Sequence, residues 1–445
     1  GDQIIMGDTD FNPIQVSIGQ FYGIEINDFA VTVAKTALWI AESQMMKETE
    51  EIVRMHMEFL PLTSYANIVE NNALRLDWET VVPKNKLNYI MGNPPFVGYG
   101  LQSKEQKDDM LTIYVDEKGK PYKTAGKIDY VAGWYYKAAQ LMHGTSIRTA
   151  FVSTNSITQG EQVAGVWKPL YDRFGIHIDF AHRTFRWDSE ANIKAHVHCV
   201  IVGFSSAENR TPKFIYTGDR PQEAQNINAY LIDAPNVFIE SKNTPICSVP
   251  EMTTGNRPAD GGHLILSQEE YEEFIAKEPT AQKYIKKLIG AVEYINNIPR
   301  YCLWLKGANP AEIRKMPEIM ARVEACRADR LNGAPDRQKL ADTPTLFREQ
   351  KNPSTFIVVP ATSSERRRYI PIGFLDGNTI ATNAVIIIPD ASIFDFGILT
   401  SNVHMAWMRV VWGRIKSDYR YSKEIVYNNF PWPIPTDAQK ARIEQ

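Results

Sequence analysis

Asn93-Pro94-Pro95-Phe96 is the run of residues in this sequence best suited to chemistry. It follows Tyr89-Ile90-Met91, a short apolar run that reads as a buried strand. Two adjacent prolines restrict the backbone and remove two amide donors. What remains is a stiff set of acceptors, the Asn93 side-chain oxygen and a proline carbonyl, with the flat face of Phe96 beside them. Such a set suits methylation of an amino nitrogen conjugated to a ring or carbonyl. The lone pair of adenine N6, for example, is delocalised into the ring. Two acceptors gripping its N–H bonds favour a pyramidal nitrogen whose lone pair points at an electrophilic methyl group. That is positioning together with stabilisation of a developing positive charge. An aromatic side chain can also stack on an extruded base. The plainer reading is a Pro-Pro turn that ends a strand.

Two carboxylates precede this run. Glu25 ends Gly23-Ile24-Glu25, where an acidic side chain can accept from both hydroxyls of a ribose. Asp77, sixteen residues before Asn93, could accept from an adenine amine. Taken singly, each is an ordinary solvated acid. Asp129-Tyr130 opens an aromatic-rich stretch and could shape a pocket wall. Basic candidates lie late in the chain. Arg366, Arg367 and Arg368 are consecutive, and Arg414, Lys416 and Arg420 alternate with Tyr419 and Tyr421. Either group can meet phosphates or base edges, or be a charged solvated face. Arg257, in Thr254-Gly255-Asn256-Arg257, is a weaker candidate in a loop. His196 and His198 alternate on a strand and lack a third metal ligand at suitable spacing.

The elements that must position these residues follow from periodicity. Strands are expected over 20–26, 87–91, 149–153, 175–180 and 195–204. A helix opens at Asn27 or Asp28 with Phe29, Val33, Ala37 and Ile40 on one face. A second opens at Ser103, which forms a capping box with Gln106, and others span 128–142 and 162–174. Strands alternating with helices imply an α/β, mostly parallel, doubly wound sheet. Ligands of such sheets sit beyond the strand C-termini, where Glu25 and Asn93 both fall. Near residue 210 the pattern changes to an α+β region. It has helical stretches over 269–298 and 310–331 and strands over 355–360, 369–375 and 379–389. The expected divisions are 1–210, 211–365 and 366–445.

Composition bounds the class. The 445 residues suffice for two or three domains, and 44% hydrophobic with 23% charged content is ordinary for a globular protein. No apolar run approaches the roughly 18 residues that would span a membrane, and no secretory leader pattern opens the chain. The four cysteines are widely spaced, as reduced cytoplasmic thiols would be. Net charge is -3, yet residues 281–425 carry 22 Lys+Arg against 14 Asp+Glu. A polyanion would therefore meet the second part of the chain.

The runs Phe21-Tyr22-Gly23-Ile24-Glu25-Ile26-Asn27-Asp28-Phe29-Ala30 and Gly92-Asn93-Pro94-Pro95-Phe96-Val97-Gly98 resemble those of gamma-class DNA adenine-N6 methyltransferases. More narrowly, the chain resembles the MmeI-like type IIG/IIL restriction–modification enzymes. Ser153-Thr154-Asn155-Ser156-Ile157, Phe185-Arg186-Trp187, Thr362 to Tyr369 and Gly413 to Tyr421 fit the same family. The resemblance implies a Rossmann-like methyltransferase sheet followed by a target-recognition domain and a C-terminal region that completes it. It implies S-adenosylmethionine as cofactor, double-stranded DNA as partner and a bacterial cytoplasmic setting. Glu25 would hold the cofactor ribose, Asp77 its adenine, and Asn93, Pro94 and Phe96 the flipped target base. The family's Asp-Pro-x-x-Gly-x-Gly-like cofactor loop has no counterpart in residues 1–20, nor has its upstream nuclease. The chain thus reads as beginning downstream of both, and is not expected to bind cofactor or turn over by itself. Two other functions stay open: a specificity module without activity of its own, and a methyltransferase acting on RNA or protein glutamine.

Overall fold

The computed structural model describes residues 16–53, 66–188, 196–207, 211–415 and 418–445. The chain divides into two compact units. The first comprises Gly1–Ile157, Gly165–Phe185 and Cys199–Asn236, and the second comprises Thr158–Ala164, Arg186–His198 and Val237–Gln445.

In the first unit, β1 (Tyr22–Glu25) leads into α1 (Asp28–Val53) and pairs in parallel with β2 (Asn67–Glu70). Then follow β3 (Tyr89–Gly92), α2 (Lys104–Ile113), α3 (Ala132–Met142), β4 (Arg148–Thr154), α4 (Gly160–Phe174), β5 (His177–Asp188), β6 (His196–Ser205), β7 (Lys213–Thr217) and β8 (Arg220–Ala224). Six strands form one sheet in the order β3-β4-β6-β5-β7-β8. β3 with β4 and β5 with β7 are parallel, while β6 runs antiparallel to β4 and β8 to β7. The sheet is therefore mixed. It also runs past residue 210, where the expected pattern of elements changes, because β7 and β8 extend it and the unit closes at Asn236.

The aromatic stretch before β4 supplies the core. Tyr135 on α3 stacks on Phe204 with ring centroids 5.3 Å apart, and meets Phe151 and Trp167 edge-on. Its hydroxyl shares a hydrogen bond with Ser153, as a buried phenol requires. β6 lies inside the sheet, as its unbroken apolar end predicts. A Cβ on Gly203 would lie 2.1 Å from the Phe180 ring, so β5 and β6 pack closely only because that side chain is absent.

One face departs from expectation. Phe29, Val33, Ala37 and Ile40 do lie on α1, but all are exposed, and Val31 is the residue that the helix buries. Tyr89 and Met91 on β3 are likewise exposed, at 67% and 76%. Among the described residues β1 has β2 as its one partner and β3 has β4, so each keeps an open edge.

The second unit holds β9 (Thr253–Thr254), β10 (Ile265–Leu266), β11 (Ile285–Ile289), β12 (Tyr301–Leu303), β13 (Thr355–Pro360), β14 (Thr362–Ser363), β15 (Gly373–Asp376), β16 (Thr379–Ala381), β17 (Val385–Pro389), β18 (Gly413–Ile415) and β19 (Asp418–Arg420). They form three sheets, β10-β12-β11-β16, β15-β13-β17-β9 and β14-β19-β18. Several expected boundaries change. The helix read over 269–298 stops at Lys277, since Pro279 and the β-prone Ile285–Ile289 run break it. Pro317 likewise splits 310–331 into Pro310–Ile313 and Pro317–Leu331. The strand read over 369–375 begins only at Gly373, and 379–389 is two strands, β16 and β17. β13 is buried on both faces. Ile357 and Val359 meet the cluster containing Met405, Trp412 and Tyr427, while Phe356 and Val358 meet Ala381 and Ile387.

His404, fully buried in the first of those clusters, contacts the Tyr421 hydroxyl through Nε2 at 2.9 Å. Burial holds it neutral, with its pKa pushed down to about 3. The unfolded chain takes up that proton near pH 6.5 and the folded one does not. Stability should therefore fall as pH drops from about 6.5 towards 3, by about 1.4 kcal/mol per unit. Urea midpoints at about pH 7 and about pH 5.5 check this, and the extra loss should vanish in His404→Leu.

All four cysteines are free. No helix among the described residues is long and apolar enough to cross a membrane.

Candidate functional site

The Asn93–Phe96 loop leaves the C-terminal end of β3. Pro94 is buried and anchors the turn, Asn93 and Pro95 are exposed, and Phe96 is half-buried. Downstream the loop is clamped. The Pro95 carbonyl accepts from Val97 N at 3.2 Å, and the Val97 carbonyl accepts from Tyr130 N at 2.9 Å. Asp129, 7% exposed, accepts from Tyr99 N at 3.0 Å and from the Ser156 hydroxyl. Among the described residues nothing donates to the Asn93 side-chain oxygen or to the Pro94 carbonyl. Of the two proline carbonyls, the first is thus the open one. A rigid turn with two open acceptors can hold an NH2 group by both of its protons.

Glu25 ends β1 and is half-buried. Its Oε1 accepts from Ile26 N at 2.9 Å and Asn27 N at 3.2 Å, which fixes the carboxylate at the mouth of α1. Asn27 caps that helix by accepting from Ala30 N at 3.0 Å. Asp77 is exposed, and its Oδ1 accepts from Glu79 N at 3.0 Å. The second oxygens, Oε2 of Glu25 and Oδ2 of Asp77, take no hydrogen bond from described residues. One open carboxylate oxygen beside a fixed one fits a ribose hydroxyl in the first case and an exocyclic amine in the second. Both open oxygens are hydrogen-bond acceptors, as the hydroxyls and amine of a nucleoside require.

The segments that carry these groups are bonded to one another. Asn71 N donates to the Glu25 carbonyl at 2.8 Å, joining the end of β1 to the loop after β2. That loop runs through Arg75 to Asp77. Lys137 on α3 donates to the carbonyls of Leu74 and Leu76, and Trp78 Nε1 donates to Ala73 at 2.7 Å. Burial draws the Lys137 ammonium below its usual pKa, and the charge of Asp77 opposes this. Arg75 Nε reaches the buried Asp109 carboxylate at 2.7 Å, and Asp109 also accepts from the Tyr130 hydroxyl at 3.0 Å. Burial first, then that bond, pushes the Tyr130 phenol up to about 12. One carboxylate therefore ties the Asp77 loop to the residue that clamps the proline loop.

Sequence reasoning placed Asp129-Tyr130 at the pocket wall but missed Arg75 and Asp109. The available signal was a carboxylate beside Met110 on the buried side of α2. Among the described residues no group of three His, Cys, Asp or Glu could hold a metal, and His198 lies half-buried on β6.

In the second unit, Arg366, Arg367 and Arg368 form an exposed turn after β14. The segment around Arg414 and Arg420 is a β-hairpin, β18 with β19. Thr362 of β14 pairs with Arg420 of β19, so the arginine turn leaves a strand of the same sheet that carries the exposed Arg420. The backbone of Arg414 lies in β18. Lys416 lies outside the described residues.

Arg257 is exposed, with its N–H held by Glu349 at 2.7 Å, and lines a cavity of about 400 Å³ with Arg337, Arg348 and Asp336. The loops around that cavity hang on Arg330. This fully buried guanidinium donates to the carbonyls of Pro258, Ala259, Leu340, Thr343 and Leu346 at 2.7–3.3 Å.

The chain matches known proteins along nearly its whole length. Residues 3–217 match the family model of the MmeI DNA-methyltransferase domain, and residues 233–434 match that of the MmeI target recognition domain. DNA methyltransferase A of Bacillus subtilis (strain 168) is 41% identical over 448 residues, covering 100% of this chain and 50% of that protein. The solved structure of the type IIL restriction-modification enzyme MmeI, in complex with DNA, is 42% identical. It covers 97% of this chain and 58% of its own, with a TM-score of 0.85. This chain thus spans about half the length of the curated relative it matches. With both models matched in order and the fold shared with the solved relative, the chain belongs to the MmeI family, its DNA-methyltransferase domain preceding its target recognition domain.

Proposed function

We propose that this chain is the catalytic and target-recognition part of a site-specific DNA adenine-N6 methyltransferase in a restriction–modification enzyme. One observation carries the reading: the open acceptors of Asn93 and Pro94 on a turn clamped by Asp129 and Tyr130. S-adenosylmethionine, when bound, supplies a methyl group on a positively charged sulfur. The second carboxylate oxygens of Glu25 and Asp77 take its ribose and adenine. The target adenine leaves the duplex and its ring lies against Phe96. Asn93 Oδ1 and the Pro94 carbonyl accept from the two N6 protons, turn the lone pair towards the methyl carbon and stabilise the positive charge that grows on N6 as its bond to carbon replaces the sulfur–carbon bond, after which N6 gives up one proton to solvent. Double-stranded DNA is the partner, met by the exposed arginines of the β14–β19 sheet together with Arg414 and Lys416. Such an enzyme meets its DNA in the bacterial cytoplasm.

The test is methyl transfer by the full-length protein from labelled S-adenosylmethionine to duplex DNA, RNA and protein offered side by side. Label should appear in N6-methyladenine from the duplex. Label in RNA or in protein glutamine instead would overturn the assignment.

A second reading concerns the chain by itself. The edges of β1 and β3 and the apolar face of α1, uncovered among the described residues, favour a specificity module without activity of its own. Calorimetry with S-adenosylmethionine decides this, since micromolar binding by the chain alone excludes it.

A further inference from the structure

We infer that, within the arginine turn, Arg368 reads a base edge while Arg366, Arg367 and the neighbouring Arg420 hold phosphates. This rests on the proposed DNA-binding reading and divides its labour. The three consecutive arginines are chemically identical, but the fold treats them differently.

Arg366 and Arg367 are held by their backbones alone. Arg366 N donates to the Ser364 hydroxyl at 3.3 Å and Arg367 N to the Ser364 carbonyl at 3.1 Å. Both side chains are exposed and take no ion-pair partner among the described residues. Arg420, across the β14–β19 pairing from Thr362, is exposed in the same way. Arg368 has a ring beneath its side chain and a bonded backbone carbonyl. Its guanidinium lies over the Tyr369 ring, 5.4 Å from the centroid. The Tyr369 hydroxyl donates to Asn402 Oδ1 at 2.7 Å, at the start of the helix Asn402–Val411. The Arg368 carbonyl accepts from the Arg409 guanidinium of that helix. Ile370, next but one, is buried in the core.

Phosphate contact needs only a charge within reach, and a mobile side chain supplies it. Base readout needs a guanidinium held in one orientation before binding, because its rotamer freedom is otherwise lost on contact. A guanidinium attracted to a ring face keeps N–H donors for a further partner. That edge matches the O6 and N7 acceptor pair of guanine in the major groove. The ligand chemistry assigned to Arg368 is therefore a guanine edge in duplex DNA.

The experiment compares full-length protein with Arg366→Ala, Arg367→Ala, Arg368→Ala and Arg368→Lys. Methylated products are sequenced from a randomised duplex pool, and affinity for one preferred duplex is measured across a salt series. Arg368→Ala and Arg368→Lys should each relax a single G·C position, losing roughly 5- to 150-fold discrimination there. Arg368→Lys should keep the salt dependence of the parent. Arg366→Ala and Arg367→Ala should weaken all sequences alike, each lowering the log–log salt slope by about one. Uniform weakening by Arg368→Ala, with the preferred sequence unchanged in both Arg368 variants, overturns the division of roles and leaves the DNA interface standing. Unchanged affinity, slope and preference in all four variants would remove the interface as well. Thermal melts of the variants matching the parent show that the effects are local.

Discussion

Asn93→Ala is expected to lower single-turnover methyl transfer by about two to three orders of magnitude, the size of effect seen when one preorganised polar contact to a developing charge is removed. Duplex affinity should stay within about twofold, because the arginines proposed to hold DNA lie in other elements. Asn93 is exposed and makes no side-chain hydrogen bond to described residues, so the substitution removes nothing that holds the loop. The turn is kept by buried Pro94 and by Asp129 and Tyr130. Loss of rate without loss of stability or binding is therefore the expected pattern. Quenched-flow methyl transfer beside fluorescence anisotropy with labelled duplex reads both quantities. Unchanged turnover would refute the catalytic role of this loop.

Arg330→Met should destabilise the second unit strongly, costing about 4 kcal/mol. The guanidinium carries five N–H donors, and the fold aims five carbonyls at them from 258–259 and 340–346. Methionine fills much of the volume but leaves those carbonyls without donors, each costing about 1–3 kcal/mol where water cannot reach. Loop movement towards solvent would recover part of this, so the cost should fall well below the sum. Arg330→Lys keeps the charge and should lie between, since an ammonium has three donors and no planar fork. Urea unfolding followed by fluorescence of Trp304, Trp407, Trp412 and Trp432 measures it. A midpoint for Arg330→Met close to that of the parent would show that the carbonyls find other donors at little cost. Because Arg330 supports the loop of Arg257, the cavity there should be lost with it.

Much of the architecture was legible because it is encoded over short spans. β13 spans Thr355–Pro360, where an unbroken run of apolar, largely β-branched residues placed it. Ser103 and Gln106 form their capping box, with Gln106 N donating to the Ser103 hydroxyl at 3.2 Å. Errors came where a proline or a single turn decided the outcome, as at Pro279 and Pro317. The face of α1 misled for another reason. Its apolar residues are periodic, but periodicity states only that a face is alike, not what covers it.

The sequence by itself determined the local chemistry of this protein. Two prolines after a strand make a stiff turn whatever lies around it, and an arginine triplet is basic wherever it falls. Tertiary structure alone decided that Asp109 joins the Asp77 loop to the clamp of the proline turn. It alone brought Arg420 beside the arginine turn, and buried Arg330 among carbonyls from two loops. These are pairings between residues ten or more positions apart. Their geometry is set by strand register and packing, which no window of neighbouring residues specifies.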